Sequence, residues 1–188
     1  MEPRRTRTLL STALALAVIG GGCGDTKDET TTGAGASTTA PAATAAGKAL
    51  AVTGTDYAFV GVPKTVAPGT VVSFKNTSPK EVHELVALRV KNGDTRPLGT
   101  ILQLPEAERD AAAEFRGVVL AFPNEEGFSP QGPLTLTQPG RYLFVCTVPT
   151  GADPVAYREK AKTAQGPIEV PGGPPHVVQG MVAELTVT

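Results

Sequence analysis

Residues 138–149 read Gln-Pro-Gly-Arg-Tyr-Leu-Phe-Val-Cys-Thr-Val-Pro. Pro139-Gly140 is a turn signal, and Arg141 to Cys146 is a short apolar run that the turn opens. In an extended chain Tyr142 and Phe144 point one way and Leu143 and Val145 the other. Both faces are apolar, so this strand is expected to be central in its sheet, with Cys146 at its end.

The same punctuation repeats on either side. Leu50 and Val52, followed by Tyr57 and Phe59, start a series of strands. Pro68-Gly69 precedes Thr70 to Asn76, where Val72 and Phe74 alternate with Val71 and Ser73. His83 to Val90 is closed by Asn92-Gly93, a hairpin-type turn. Val118 to Phe122, Leu134 to Thr137 and a last strand, Val182 to Val187, complete the set. The chain carries 21 Gly and 17 Pro, which fits many turns between short strands. The expected fold is all-β, an antiparallel Greek-key β-sandwich interrupted by two short helical insertions. The first is Pro105 to Phe115, with Ala107, Ala111 and Phe115 at i, i+4 and i+8. Its Glu106, Glu108, Asp110 and Glu114 read as a solvated helix face rather than as catalytic carboxylates. The second opens with Asp153 as N-cap and Pro154 at the first helical position and stops near Gly166-Pro167.

The 188 residues, 40% of them hydrophobic and with a formal net charge of -1, fit one globular domain and give no electrostatic case for nucleic acid. The N-terminus reads as separate from the fold. Arg4, Arg5 and Arg7 precede a short apolar run, Leu9 to Ile19, too short to span a bilayer as a mature helix. Gly20-Gly21-Gly22-Cys23 then resembles a bacterial lipobox, with cleavage before Cys23 and lipidation of its sulfur, although Gly20 stands where Leu is usual. Cleavage by an ordinary signal peptidase is the alternative. The Arg4-Arg5 pair leaves a twin-arginine export route open. Residues 24–47 are Thr, Ala and Gly with almost nothing to bury, so they read as a disordered tether. Such a coil spans roughly 25–30 Å. The expected organisation is a leader over 1–23, a tether over 24–47 and a folded domain over 48–188, anchored by Cys23 to the outer face of the cell membrane.

Export sharpens the cysteine argument. With Cys23 consumed by lipid, Cys146 has no disulfide partner in the chain, and a lone thiol in an oxidising space is a liability unless buried or used. Beyond residue 23 the chain holds one Cys, two His and one Met: Cys146, His83, His176 and Met181. Singly, each has an ordinary reading: a satisfied histidine, a small buried thiol, a core methionine, an idle loop histidine. Together, two imidazoles, a thiolate and a weak thioether are the ligand set of a mononuclear blue-copper site.

The segments that carry these residues resemble the cupredoxins, the plastocyanin and azurin family. Asp56-Tyr57-Ala58-Phe59, Val66 to Asn76 and His83-Glu84-Leu85 resemble its first half. Pro139 to Pro149 is similar to the strand that leads into the cysteine ligand, and Pro175 to Val182 to the His and Met segment. The resemblance implies one type 1 copper site, with His83, Cys146 and His176 as ligands and Met181 as the long axial contact. It implies that Asn76 is the outer residue tying the two ligand loops together. It also implies a redox partner protein. The chain departs from the family between Cys146 and His176, where Thr150 to Pro174 intervenes. Lengthening a loop from about four to about thirty residues costs only roughly 2 kcal/mol of closure entropy, so the insert is tolerable if it runs out and back. It is expected either to cover the His176 edge or to form the partner surface.

Three functions fit: a membrane-anchored one-electron carrier, a copper scavenging or delivery module, and a metal-free interaction domain of the same fold. No Ser/His/Asp arrangement or Gly-rich phosphate loop speaks for an enzyme, and two histidines are too few for the further copper centres of an oxidase.

Overall fold

The computed structural model describes residues 48–188. The leader, Cys23 and the tether lie outside the described residues.

Among the described residues nine strands form two sheets. One has the order β2-β1-β4-β7, from Ala58–Val60, Ala49–Thr55, Thr70–Asn76 and Thr135–Leu136. The other has the order β3-β9-β8-β5-β6, from Thr65–Val66, Val182–Val187, Gly140–Val145, His83–Val90 and Ala113–Ala121. Period-two patterning drives the packing between them. Along β4, Thr70, Val72, Phe74 and Asn76 are buried while Val71, Ser73 and Lys75 are exposed. Leu50 and Val52 of β1 and Leu85 and Ala87 of β5 fill the same core. Each large apolar side chain enclosed there contributes about 1.5–3 kcal/mol.

Strand β8, the opening stretch, lies between β9 and β5 and is buried on both faces. Tyr142 and Phe144 enter the main core. Leu143 packs on the opposite face with Val90, Ile101 and Ala112. That second cluster is roofed by helices α1 (Leu98–Leu102) and α2 (Glu106–Ala112).

The structure corrects several expectations. The sheets are mixed rather than wholly antiparallel, because β1 pairs with β4 and β3 with β9 in parallel. After the β1–β2 hairpin the chain crosses to the other sheet as β3 before returning as β4. Turn signals locate strands but do not order them. Asn92-Gly93 is not a hairpin turn: it leads into α1 and α2, after which β6 still pairs antiparallel with β5. Helix α2 stops at Ala112 instead of Phe115, since Ala113 onward is claimed by β6 and Phe115 is exposed there. Helix α3 (Pro154–Ala161) starts as expected, with the Asp153 carboxylate accepting the Ala156 N–H at 2.7 Å. It ends before Gly166.

Topology delivers the candidate ligands to one end of the sandwich. Strand β5 runs antiparallel to β8, with Val86 opposite Val145, so the start of β5 lies near the end of β8. Strand β9 runs antiparallel to β8, with Val145 opposite Val182. His83 at the head of β5, Cys146 just past β8 and Met181 just before β9 therefore share that end.

Candidate metal centre

Three donor atoms converge there. His83 Nδ1 lies 3.1 Å from His176 Nδ1 and 3.9 Å from Cys146 Sγ, and Cys146 Sγ lies 3.4 Å from His176 Nδ1. The point equidistant from the three atoms is about 2.0 Å from each. That is the range of imidazole–metal bonds, roughly 2.0–2.1 Å, and somewhat short for a thiolate at about 2.3 Å. All three residues are fully enclosed, as is Met181. Among the described residues this is the cluster of His, Cys and carboxylate groups able to hold an ion.

The environment favours a metal over protons. Burial, reinforced by the neighbouring His176 and opposed by Asp56, pushes the His83 imidazole down to about 4. His176 is also pushed down by burial, against the upward pull of Glu81. Both rings are therefore neutral near pH 7 and can each offer a lone pair. Burial drives the Cys146 thiol strongly upward, with the Glu84 carboxylate adding to it. A bare thiolate is thus disfavoured, and a cation beside the sulfur would reverse that. A soft thiolate with two imidazoles fits copper.

The long excursion after Cys146 is closed at its base by backbone pairing. The Val177 N–H donates to the Cys146 carbonyl at 2.7 Å and the His176 N–H to the Val148 carbonyl at 3.0 Å. Thr150 N–H donates to Pro174 O at 3.1 Å, and Gly173 N–H returns to Thr150 O at 2.8 Å. Gly172 sits so close to Pro149 that a Cβ would lie 2.6 Å from the Pro149 Cβ. Met181 is seated by the same pairing: its N–H donates to His176 O, and its carbonyl accepts the Cys146 N–H at 3.2 Å. Its Cε packs near Gly54, where an added Cβ would stand 3.4 Å away. Residues 150–174 thus leave and rejoin at one place, and His176 opens a single 3-10 turn, His176–Gln179.

Asn76 is fully buried and organises the loop before His83. Its Nδ2 donates to Glu81 O at 2.8 Å and Ala121 O at 3.1 Å, and its Oδ1 accepts the Ser78 N–H at 2.8 Å. The hydrogen bonds that join the His83 segment to the Cys146 segment come from other residues. The Glu84 N–H donates to Cys146 Sγ at 3.4 Å, and the Glu84 carboxylate accepts from the Thr147 N–H and hydroxyl. The Gly151 N–H donates to Glu81 Oε2 at 2.9 Å. Enclosure raises Glu84 above the usual carboxylate range, against the Thr147 hydrogen bonds.

The outer edge of His176 is covered. Its Nε2 lies 3.2 Å from Glu81 Oε2, and the Tyr57 ring meets its ring edge-on at 5.1 Å between centroids. Tyr57 holds a left-handed backbone, φ 60°, at the β1–β2 turn. The insert meets this edge at Gly151, whose N–H donates to Glu81 Oε2. The rest of it packs elsewhere: Ala152, Tyr157 and Val170 join the core. Ala161 and Ala164 to Ile168 wall a groove of about 810 Å³ on the outer face of the second sheet, over Val86, Leu120 and Val145. Sequence reading missed Glu81, Glu84, Thr147 and Tyr57. All but Tyr57 lie within two residues of a candidate ligand, yet no spacing signal marks them.

The described residues thus form a mixed two-sheet β-sandwich with a buried His-Cys-His cluster able to hold one metal ion, and its donor types suit copper. No protein-family model and no curated protein sequence matches the chain. Solved structures do resemble it. Dithionite-reduced auracyanin from the photosynthetic bacterium Roseiflexus castenholzii is 19% identical over 76% of this chain and 98% of its own, with a TM-score of 0.44. Auracyanin A, described as a "blue" copper protein from the green thermophilic bacterium Chloroflexus aurantiacus, is 19% identical over 74% and 98%, with a TM-score of 0.40. Auracyanin B is 18% identical over 75% and 88%, with a TM-score of 0.36. The reading of the metal centre rests on its own geometry.

Proposed function

We propose that this protein is a one-electron carrier whose copper is held by His83, Cys146 and His176, with Met181 as a weak axial donor. The single observation that carries the reading is the convergence of two imidazole Nδ1 atoms and one Sγ within 3.9 Å of one another, all fully buried. When bound, copper supplies a one-electron couple. The protein supplies a donor set that serves both oxidation states and that moves little between them.

The residues divide this work. His83 and His176 are neutral and present lone pairs without first losing a proton. The Glu84 N–H points at the Cys146 sulfur and partly offsets its negative charge. The closed stem fixes His176 and Met181 against Cys146, so that no donor has to travel. The Tyr157 hydroxyl and the Thr147 hydroxyl both donate to the Glu84 carboxylate beside His83 and Cys146. Full burial of the donors favours a carrier over a delivery module, which would have to hand its ion to another protein.

The optical and EPR spectra of the Cu(II)-loaded full chain test the reading. An intense thiolate-to-copper band that Cys146→Ser abolishes is expected. A colourless protein that binds no stoichiometric copper would overturn it.

We further propose that residues 1–23 are a lipoprotein leader and that lipidated Cys23 holds the domain on the outer face of the cell membrane through the tether 24–47. The small-residue run before Cys23 supports this. Cys23→Ala is expected to release the protein from the membrane fraction, and unchanged partitioning would refute the anchor.

A further inference from the structure

Glu81 is fixed from several sides, and its free end meets His176. Its backbone N–H donates to Ser78 Oγ at 3.1 Å, and its carbonyl accepts Asn76 Nδ2 at 2.8 Å. Its Oε2 accepts the Gly151 N–H at 2.9 Å and stands 3.2 Å from His176 Nε2. The carboxylate is 15% exposed, and the imidazole is fully buried. A carboxylate can only accept, so the His176 proton that meets it resides on Nε2. A neutral ring protonated at Nε2 has its lone pair on Nδ1, the atom that faces Cys146 and His83. In the metal-free protein His83 Nδ1, 3.1 Å away, must then carry its own proton toward that lone pair. This leaves His83 Nε2 as a bare acceptor, and it is the one enclosed side-chain polar atom among the described residues without a hydrogen-bond partner.

We infer that Glu81 is a positioning residue that selects the metal-binding tautomer of His176 and, resting on the copper reading above, biases the centre toward Cu(II). The physical reason is charge. An anionic acceptor at Nε2 raises the basicity of the opposite nitrogen, and the more highly charged ion gains more from a more basic ligand. The contact also covers the ring edge, so Glu81 sets His176 electronically while Gly151 ties that setting to the first residues of the insert.

Glu81→Gln isolates the charge, because its amide oxygen can still accept from His176 and Gly151. In the copper-loaded full chain we expect Cu(II) affinity to fall about tenfold with Cu(I) affinity nearly unchanged. For one electron that is a potential raised by about 59 mV. Glu81→Asp is expected to recover part of the shift. Potentials unchanged in both Glu81→Gln and Glu81→Ala would overturn the inference. A second readout needs no copper: nitrogen NMR of the metal-free full chain should find His176 protonated at Nε2, and Glu81→Ala should mix the tautomers. His176 protonated at Nδ1 in the unsubstituted protein would overturn the inference as well. If the chain binds no copper, the proposed function falls, and the tautomer measurement still decides the role of Glu81.

Discussion

His83 gives up its charge because nothing around it can solvate a proton. Burial is the larger cause and the adjacent His176 the next, and together they bring the ring to about 4. An unfolded histidine sits near 6.5. The unfolded state therefore binds more protons than the folded one between these values, so stability rises with pH. It is fully present above about 6.5 and is lost as the pH falls through about 4. At about 1.4 kcal/mol per unit the loss for this one ring is on the order of 3 kcal/mol. Urea unfolding of the metal-free protein is expected to give a markedly lower midpoint at pH 4.5 than at pH 7.5. A midpoint that is flat across that range would sink the account. The four donor types were legible at this scale because the chain holds so few of them that each stood out. Their electrostatics were not: Glu81, Glu84 and Tyr57 act through approach distances that no residue count encodes.

At the scale of elements, local chemistry located most of the pieces. Thr70–Asn76, His83–Val90 and Val182–Val187 fall where alternation and turn residues put them, and Asp153-Pro154 starts its helix. What failed was everything decided by neighbours. The parallel pairing of β1 with β4 depends on a detour through the other sheet. Helix α1 carries no capping side chain and has Pro97 at its boundary, so little in its sequence separates it from a loop. Its Ile101 is held by Leu143 and Val90 instead, and tertiary burial makes it an element. Residues 113–115 show the same competition. Their helical spacing loses to the ladder that pairs Val90 with Ala113 and Leu88 with Phe115.

For the whole molecule the open question in the sequence was the excursion from Cys146 to His176, and its fold separates into a stem and a distal part with different roles. The stem at residues 149–150 and 173–175 holds the donors together, while the distal part, including α3, buries Tyr157 and Val170 in the main core. Arg158 pins that part further, pairing with Glu125 at 2.6 Å and lying 3.7 Å over the Phe122 ring. Replacing residues 153–170 by a linker of about four residues should therefore leave the copper band in place. It should cost stability, because removing a buried aromatic alone costs about 3–5 kcal/mol. The shorter loop, about fifteen residues instead of about thirty, returns only about 0.6 kcal/mol of closure entropy. The net expectation is a loss of a few kcal/mol with an unchanged Cu(II) spectrum, measured by thermal unfolding and by optical titration of the same sample. Loss of the band in a variant that still unfolds cooperatively would mean that the insert builds the metal centre rather than buttressing it, and the division between stem and distal part would be wrong.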